Sequence, residues 1–210
     1  MGDKFNYSTD QDKHLVSLFF HGGGYLNTSP SYWKSFELLK ILDLEDFGLK
    51  ILPETICTLM ELIYLWLRNN YIKELPQSLV WLKKLEVLDI AQNFMVEVPH
   101  VIWELDSLLH LYMSDVICRK PFKIVWPQSL ETLTYVSIDN CLLLGFGKFV
   151  CLKKLGIEGL DGNSNVSKLF VSLAVLADIK HLILRGYRFR SMPCLDEIGY
   201  QIISLQKLFH

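Results

Sequence analysis

The sequence repeats itself at a fixed step. Leu39, Leu62, Leu85 and Leu108 lie 23 residues apart. Each opens an L-x-x-L-x-apolar run: Leu39, Leu42 and Leu44; Leu62, Leu65 and Leu67; Leu85, Leu88 and Ile90; Leu108, Leu111 and Met113. Pro53, Pro76 and Pro99 recur at the same step, each followed by apolar residues three positions apart, as at Leu79 and Leu82. A continuous helix from Leu62 to Leu82 would not keep Pro76 in its interior. A single strand would not carry that uneven spacing. The chain is therefore expected to fold as stacked copies of one short unit.

The pattern L-x-x-L-x-L-x-x-N-x-L in Leu62 to Ile72 is that of a leucine-rich repeat. It extends outward less evenly. Leu15, Leu18 and Phe20 precede Leu39 by 24 residues. Downstream, Leu133, Val136 and Ile138, then Leu152, Leu155 and Ile157, then Ile179, Leu182 and Leu184 continue it, and Leu205 and Leu208 begin one more. The expected architecture is an α/β repeat solenoid, a horseshoe with a parallel sheet on its concave face and short 3₁₀, α or irregular return segments. Alternating leucines make a short strand with one buried face. The three-residue spacing of the return segment suits a short helical turn rather than a second strand, with proline at its start. Asn70, Asn93 and Cys141 occupy a slot where a polar side chain can satisfy backbone groups at the turn. Residues 1-14 read as a polar N-terminal segment or partial cap, and 15-210 as one repeat domain of about eight units plus a truncated ninth. An uncapped apolar end at Leu205 to Phe209 suggests a piece of a longer protein or a truncated product.

Composition narrows the function. Half of the 210 residues are apolar and the net charge is -2, which gives no reason to expect nucleic acid or an acidic membrane as partner. No apolar run reaches the roughly 18 residues of a membrane span, and the first residues lack a secretory apolar core. Cys57, Cys118, Cys141, Cys151 and Cys194 are odd in number and widely spaced, so they are expected to be free thiols in a reducing, cytoplasmic setting. The sequons at Asn6, Asn27 and Asn165 then read as chance matches. No G-x-S-x-G, H-E-x-x-H or G-x-G-x-x-G occurs, so no enzyme, cofactor or metal site is expected.

Residues between and just after the strand leucines should face solvent on the concave side, where repeat proteins bind partners. Phe19, Tyr64, Trp66, Tyr112 and Tyr135 place aromatics there, with Arg68 beside them. Aromatics and arginine dominate binding hot spots, although such rings can also simply cover the sheet and pair across strands. Asp43, Asp89 and Asp115 make the middle slots acidic, while Lys180, Arg185, Arg188 and Arg190 lean basic later. That pattern reads either as a solvated charged face or as a polarised docking surface.

Leu39-Lys40-Ile41-Leu42-Asp43-Leu44, Ile72-Lys73-Glu74-Leu75-Pro76 and Ser137-Ile138-Asp139-Asn140-Cys141 resemble the leucine-rich-repeat region of plant intracellular disease-resistance proteins, the coiled-coil, nucleotide-binding immune receptors. The resemblance covers roughly residues 14 to 208. It implies recognition of a pathogen effector or a guarded host protein, and docking on the receptor's own nucleotide-binding domain to hold it inactive. Gly145-Phe146-Gly147-Lys148 is no phosphate loop, so nucleotide binding is not implied for this chain. The alternatives are a free-standing intracellular repeat scaffold in signalling, a receptor ectodomain, which would call for a signal peptide and Cys-rich caps, and a truncated fragment without function.

Overall fold

The structure, a computed structural model, describes residues 12–24, 26, 29–94, 96–114, 116–118, 127–137, 149–160, 164 and 166–186. Eight parallel strands form one open sheet: β1 (Ser17–Phe19), β2 (Ile41–Asp43), β3 (Tyr64–Trp66), β4 (Val87–Asp89), β6 (His110–Tyr112), β8 (Thr132–Ser137), β9 (Lys154–Leu160) and β10 (His181–Gly186), in that spatial order. Sequence order and spatial order agree, as stacking one unit on the next requires.

The register is set by leucine. Leu18, Leu42, Leu65, Leu88, Leu111, Leu133, Leu155 and Leu182 lie opposite one another along the whole sheet. Leu42, Leu65, Leu88 and Leu111 are fully buried. Because side chains alternate across a strand, this row turns every flanking residue to the other face. A slip of one residue would expose the row, so the register is strongly specified.

The return segments are 3₁₀ helices at Glu54–Thr58, Gln77–Trp81 and His100–Glu104. Each follows its proline in extended conformation, and Ile56, Leu79 and Ile102 point into the core. The 27-residue step from Leu152 to Ile179 makes room for an α-helix instead, Val166–Leu173, with Leu169, Phe170 and Leu173 buried. At the start, a short helix, Pro30–Lys34, seats fully buried Trp33 edge-on to Tyr32. Trp103 is buried in its return segment and Trp81 is exposed in its own.

Between strand and return segment the chain turns on asparagine. Asn70 Nδ2 donates to the carbonyls of Leu44 at 2.8 Å and Leu67 at 2.9 Å, while its Oδ1 accepts the Leu49 amide at 2.8 Å. Asn93 repeats this one unit on, donating to Leu67 and Ile90 and accepting from Ile72. Each side chain thus ties its own turn to the preceding one. Phe47 fills the equivalent slot one unit earlier and packs edge-on to Phe20 at 5.5 Å. Just before the slot, Asp46, Asn69 and Gln92 all adopt positive φ, at 55°, 53° and 58°. Asp and Asn enter this region at least cost among non-glycine residues.

Two expectations change. The segment before the third 3₁₀ turn is not merely irregular: β5 (Val96–Val98) pairs in parallel with β7 (Val116–Cys118) in a separate two-stranded sheet. Its Val-Glu-Val run has strand propensity that the proline-led pattern hid. Further on, Leu133 rather than Val136 occupies the central row, so the unit begins at Leu130 and the steps around it are 22 residues. The register then shifts between Leu133 and Val136, where Tyr135 has φ of 59°. Gly156 on β9 accommodates this bulge, since a Cβ there would lie 2.8 Å from the Tyr135 nitrogen. The turn residue Cys141, the start of the N-terminal cap and the terminal run at Leu205 lie outside the described residues.

Cys57 and Cys151 are free thiols, one buried and one exposed. Burial pushes the Cys57 thiol up to about 11, only partly offset by the nearby Ser78 hydroxyl. Peptide mapping after iodoacetamide at neutral pH should therefore find Cys151 modified in the native protein and Cys57 only on unfolding. Since the folded thiol titrates above its ordinary value of 9.0, its contribution to stability should be complete below pH 9 and fade as pH rises toward 11. In urea denaturation, Leu88→Ala should cost about 2–5 kcal/mol, whereas Ile51→Ala, at a position 74% exposed, should cost well under ~1 kcal/mol. Asn69→Val, which forces a β-branched residue to positive φ, should cost about 1–2 kcal/mol.

Candidate protein-binding face

The face opposite the leucine row is built from the strand positions on either side of it. The register aligns Phe19, Asp43, Trp66, Asp89 and Tyr112 on five successive strands. Aromatic and carboxylate side chains alternate along this row. A parallel row runs through Ser17, Ile41, Tyr64, Val87 and His110. The burial pattern of β2, β3 and β6 is half-buried, buried, half-buried, as expected for a strand with one covered and one open face.

The two rows meet in ring pairs. Tyr64 and Trp66 lie 5.9 Å apart with planes inclined at 40°. His110 and Tyr112 stack at 6.4 Å, and His110 Nδ1 is 3.0 Å from the Thr132 hydroxyl. Between these pairs sit the shorter side chains of β4, Val87 and Asp89, which are buried although they belong to the open face. Phe19, at the end of the row, is 49% exposed.

The charged groups are not all free. Arg68 Nε donates to Asp89 Oδ2 at 3.0 Å, across from β3's end to β4. Asp89 Oδ1 accepts the Ala91 amide at 2.9 Å, so this carboxylate is both a turn acceptor and an ion-pair partner. Asp43 Oδ1 accepts the Glu45 amide at 2.8 Å in the same way. The acidic middle slots are thus partly a turn device repeated from unit to unit, and only partly surface charge. Sequence spacing could not pair Arg68 with Asp89, because 21 residues separate them and only the register makes them neighbours.

Toward the other end, Arg185 of β10 lies over the Tyr135 ring, 4.2 Å from its centroid. This joins β10 to β8 across β9, where Gly156 has no side chain. Glu131 and Lys153 form an ion pair at the strand entry, and that hydrogen bond holds the Glu131 carboxyl below its usual range. Of the expected contact residues, Phe19, Asp43, Tyr64, Trp66, Arg68, Asp89 and Tyr112 come together on one stretch of face. Tyr135 stands apart at the bulge, and Asp115 lies outside the described residues. Among the described residues no three His, Cys, Asp or Glu side chains are grouped to hold a metal ion, and no helix is long and apolar enough to cross a membrane.

The profile described as leucine-rich repeat region matches residues 14–209, and the chain belongs to that family. It is similar to a leucine-rich-repeat protein of Leptospira interrogans, with a TM-score of 0.71 and 25% identity over 95% of this chain, and it spans about half, 49%, of that protein's length. It also shares the fold of internalin C2 of Listeria monocytogenes, with a TM-score of 0.65 and 17% identity over 96% of this chain and 83% of the internalin. A comparison with curated proteins returns no match.

The ion pair between Arg68 and Asp89 is checkable by a double-mutant cycle. With Arg68→Ala and Asp89→Asn, which keeps an acceptor for the Ala91 amide, the coupling should be about 0.5–1.5 kcal/mol. Asp89→Ala should cost about 1–3 kcal/mol, because it also leaves that buried amide without its acceptor.

Proposed function

We propose that this leucine-rich-repeat chain is a protein-recognition module of a plant intracellular immune receptor. It acts in the cytoplasm, takes a pathogen effector or a guarded host protein on its open face, and in an intact receptor uses that face to restrain the nucleotide-binding domain. The observation that carries recognition is the row Phe19, Asp43, Trp66, Asp89 and Tyr112, with Tyr64 beside it. Large aromatic side chains held on a rigid sheet lose little entropy on binding and present much contact area. Neighbouring units make the row continuous, which suits a broad protein surface better than a small molecule. The plant-receptor origin rests on the likeness of the repeats in residues 36 to 111 to that family's sequences. The chain carries recognition and no catalysis in this reading. The candidate contact residues are Phe19, Asp43, Tyr64, Trp66, Arg68, Asp89 and Tyr112 on one stretch of face, with Tyr135 apart at the bulge and Asp115 outside the described residues.

Photo-crosslinking in leaf cells that express a pathogen's effector repertoire tests this. A benzophenone side chain at Tyr112, on the open face, should give discrete protein adducts, and these should disappear in the Tyr64→Ala, Trp66→Ala background. The same group at Trp81, in an exposed return segment, should give none. Equal adducts from both positions, or adducts that survive the double substitution, would count against recognition through this face.

A further inference from the structure

Along the open face, cations already engage an acidic or an aromatic side chain in two places. Arg68, two residues after Trp66, binds Asp89, the carboxylate that follows Trp66 in the row. Arg185 covers the Tyr135 ring. In a row that alternates ring and carboxylate, one carboxylate has no cation bonded to it among the described residues. Asp43 stands between Phe19 and Trp66 in register, on the strand between them. Strand spacing puts those two residues about 10 Å apart, which leaves room for a planar group between their side chains. Asp43 uses Oδ1 for the Glu45 amide, and Oδ2 has no donor among the described residues. Glu45, the next outward residue on the same run, is exposed and has no ion pair among the described residues. Arg68 is turned to Asp89 on the far side of Trp66 in the row and bonds neither group.

We infer that the place between Phe19 and Trp66, floored by Asp43, receives an arginine side chain from the partner protein. This deepens the recognition reading above and rests on it. A guanidinium suits the place better than other groups, for three reasons. It can stack on an aromatic face while bonding a carboxylate in its plane. It is weakly hydrated, so it loses little on entering a half-buried slot. It would give Asp43 the cation that Arg68 gives Asp89 two strands away, with the charge supplied from outside. An ammonium from lysine meets the carboxylate but gains less from the flanking rings. A neutral side chain would leave the two acidic groups uncompensated under the contact.

The test uses the whole chain and three small probes: N-acetyl-arginine amide, N-acetyl-lysine amide and N-acetyl-citrulline amide, the last an uncharged near-isostere of the first. The readout is the Trp66 indole N–H resonance, assigned with Trp66→Phe. The arginine probe should shift it saturably, the lysine probe at least about threefold more weakly, and the citrulline probe not at all. Asp43→Asn keeps an acceptor for the Glu45 amide, so the fold should hold by circular dichroism, while arginine affinity should fall at least about fivefold. No saturable shift with arginine, an equal shift with citrulline, or unchanged affinity in Asp43→Asn would overturn the inference. A protein partner that crosslinks at Tyr112, needs Trp66 and ignores Asp43→Asn would overturn it too, while leaving recognition through this face standing. Loss of all crosslinking would fail the broader reading instead.

Discussion

The structure depends on how an uneven chain keeps its turns in step. A strand of three residues, such as β3, makes few backbone bonds of its own. What holds consecutive units at a fixed offset is the side chain of Asn70, and again of Asn93, which bonds the carbonyl of its own unit and that of the unit before. The Leu67 carbonyl accepts from both asparagines and so lies between two such ties. These groups are buried, and an unpaired buried amide or carbonyl costs about 1–3 kcal/mol. In each of these two units a single side chain therefore removes several penalties at a place where neither helix nor sheet can.

From that offset the rest follows. With the turns aligned, the central leucines of adjacent units meet in one row and close the core. With the leucines aligned, the residues beside them must form rows on the other face. The open face is then free to vary, because its side chains contribute little to the core. A run of aromatic and acidic groups can accumulate there without disturbing the stack, and the fold supplies their spacing. The Arg68 and Asp89 pair belongs to this layer: the scaffold makes the two neighbours, and their chemistry then shapes the surface.

The half of the chain with equal steps was legible because core and turn residues share one period. The strand at Leu65, the proline-led turn at Pro76 and the role of Asn70 all follow from that period. Reading failed where backbone geometry broke the count. At β8 the bulge at Tyr135 places an extra residue before Val136, so a frame read from Leu133 slips by three positions, while Leu130 keeps the true start. The bulge has no signature except Gly156 on the next strand, and a lone glycine is too common to announce one. The β5 and β7 pairing escaped notice because it joins return segments, which the repeat pattern does not constrain. For the site, strand alternation correctly placed Trp66, Tyr64 and Tyr112, whose positions depend on period alone. It could not show that Asp43 and Asp89 accept turn amides, since that depends on side-chain rotamers.

Hydrogen exchange at two amides tests the central claim most directly. The Leu49 amide is held by Asn70 Oδ1 and the Ile72 amide by Asn93 Oδ1. Both should be protected in the native protein to a degree comparable with the strand amides. In Asn70→Ala, the Leu49 amide should lose protection while Ile72, still tied by Asn93, keeps most of its own. If Leu49 stays protected in that variant, or if both amides exchange as fast as exposed loop amides in the unaltered chain, the asparagine ties are not what hold the units in step.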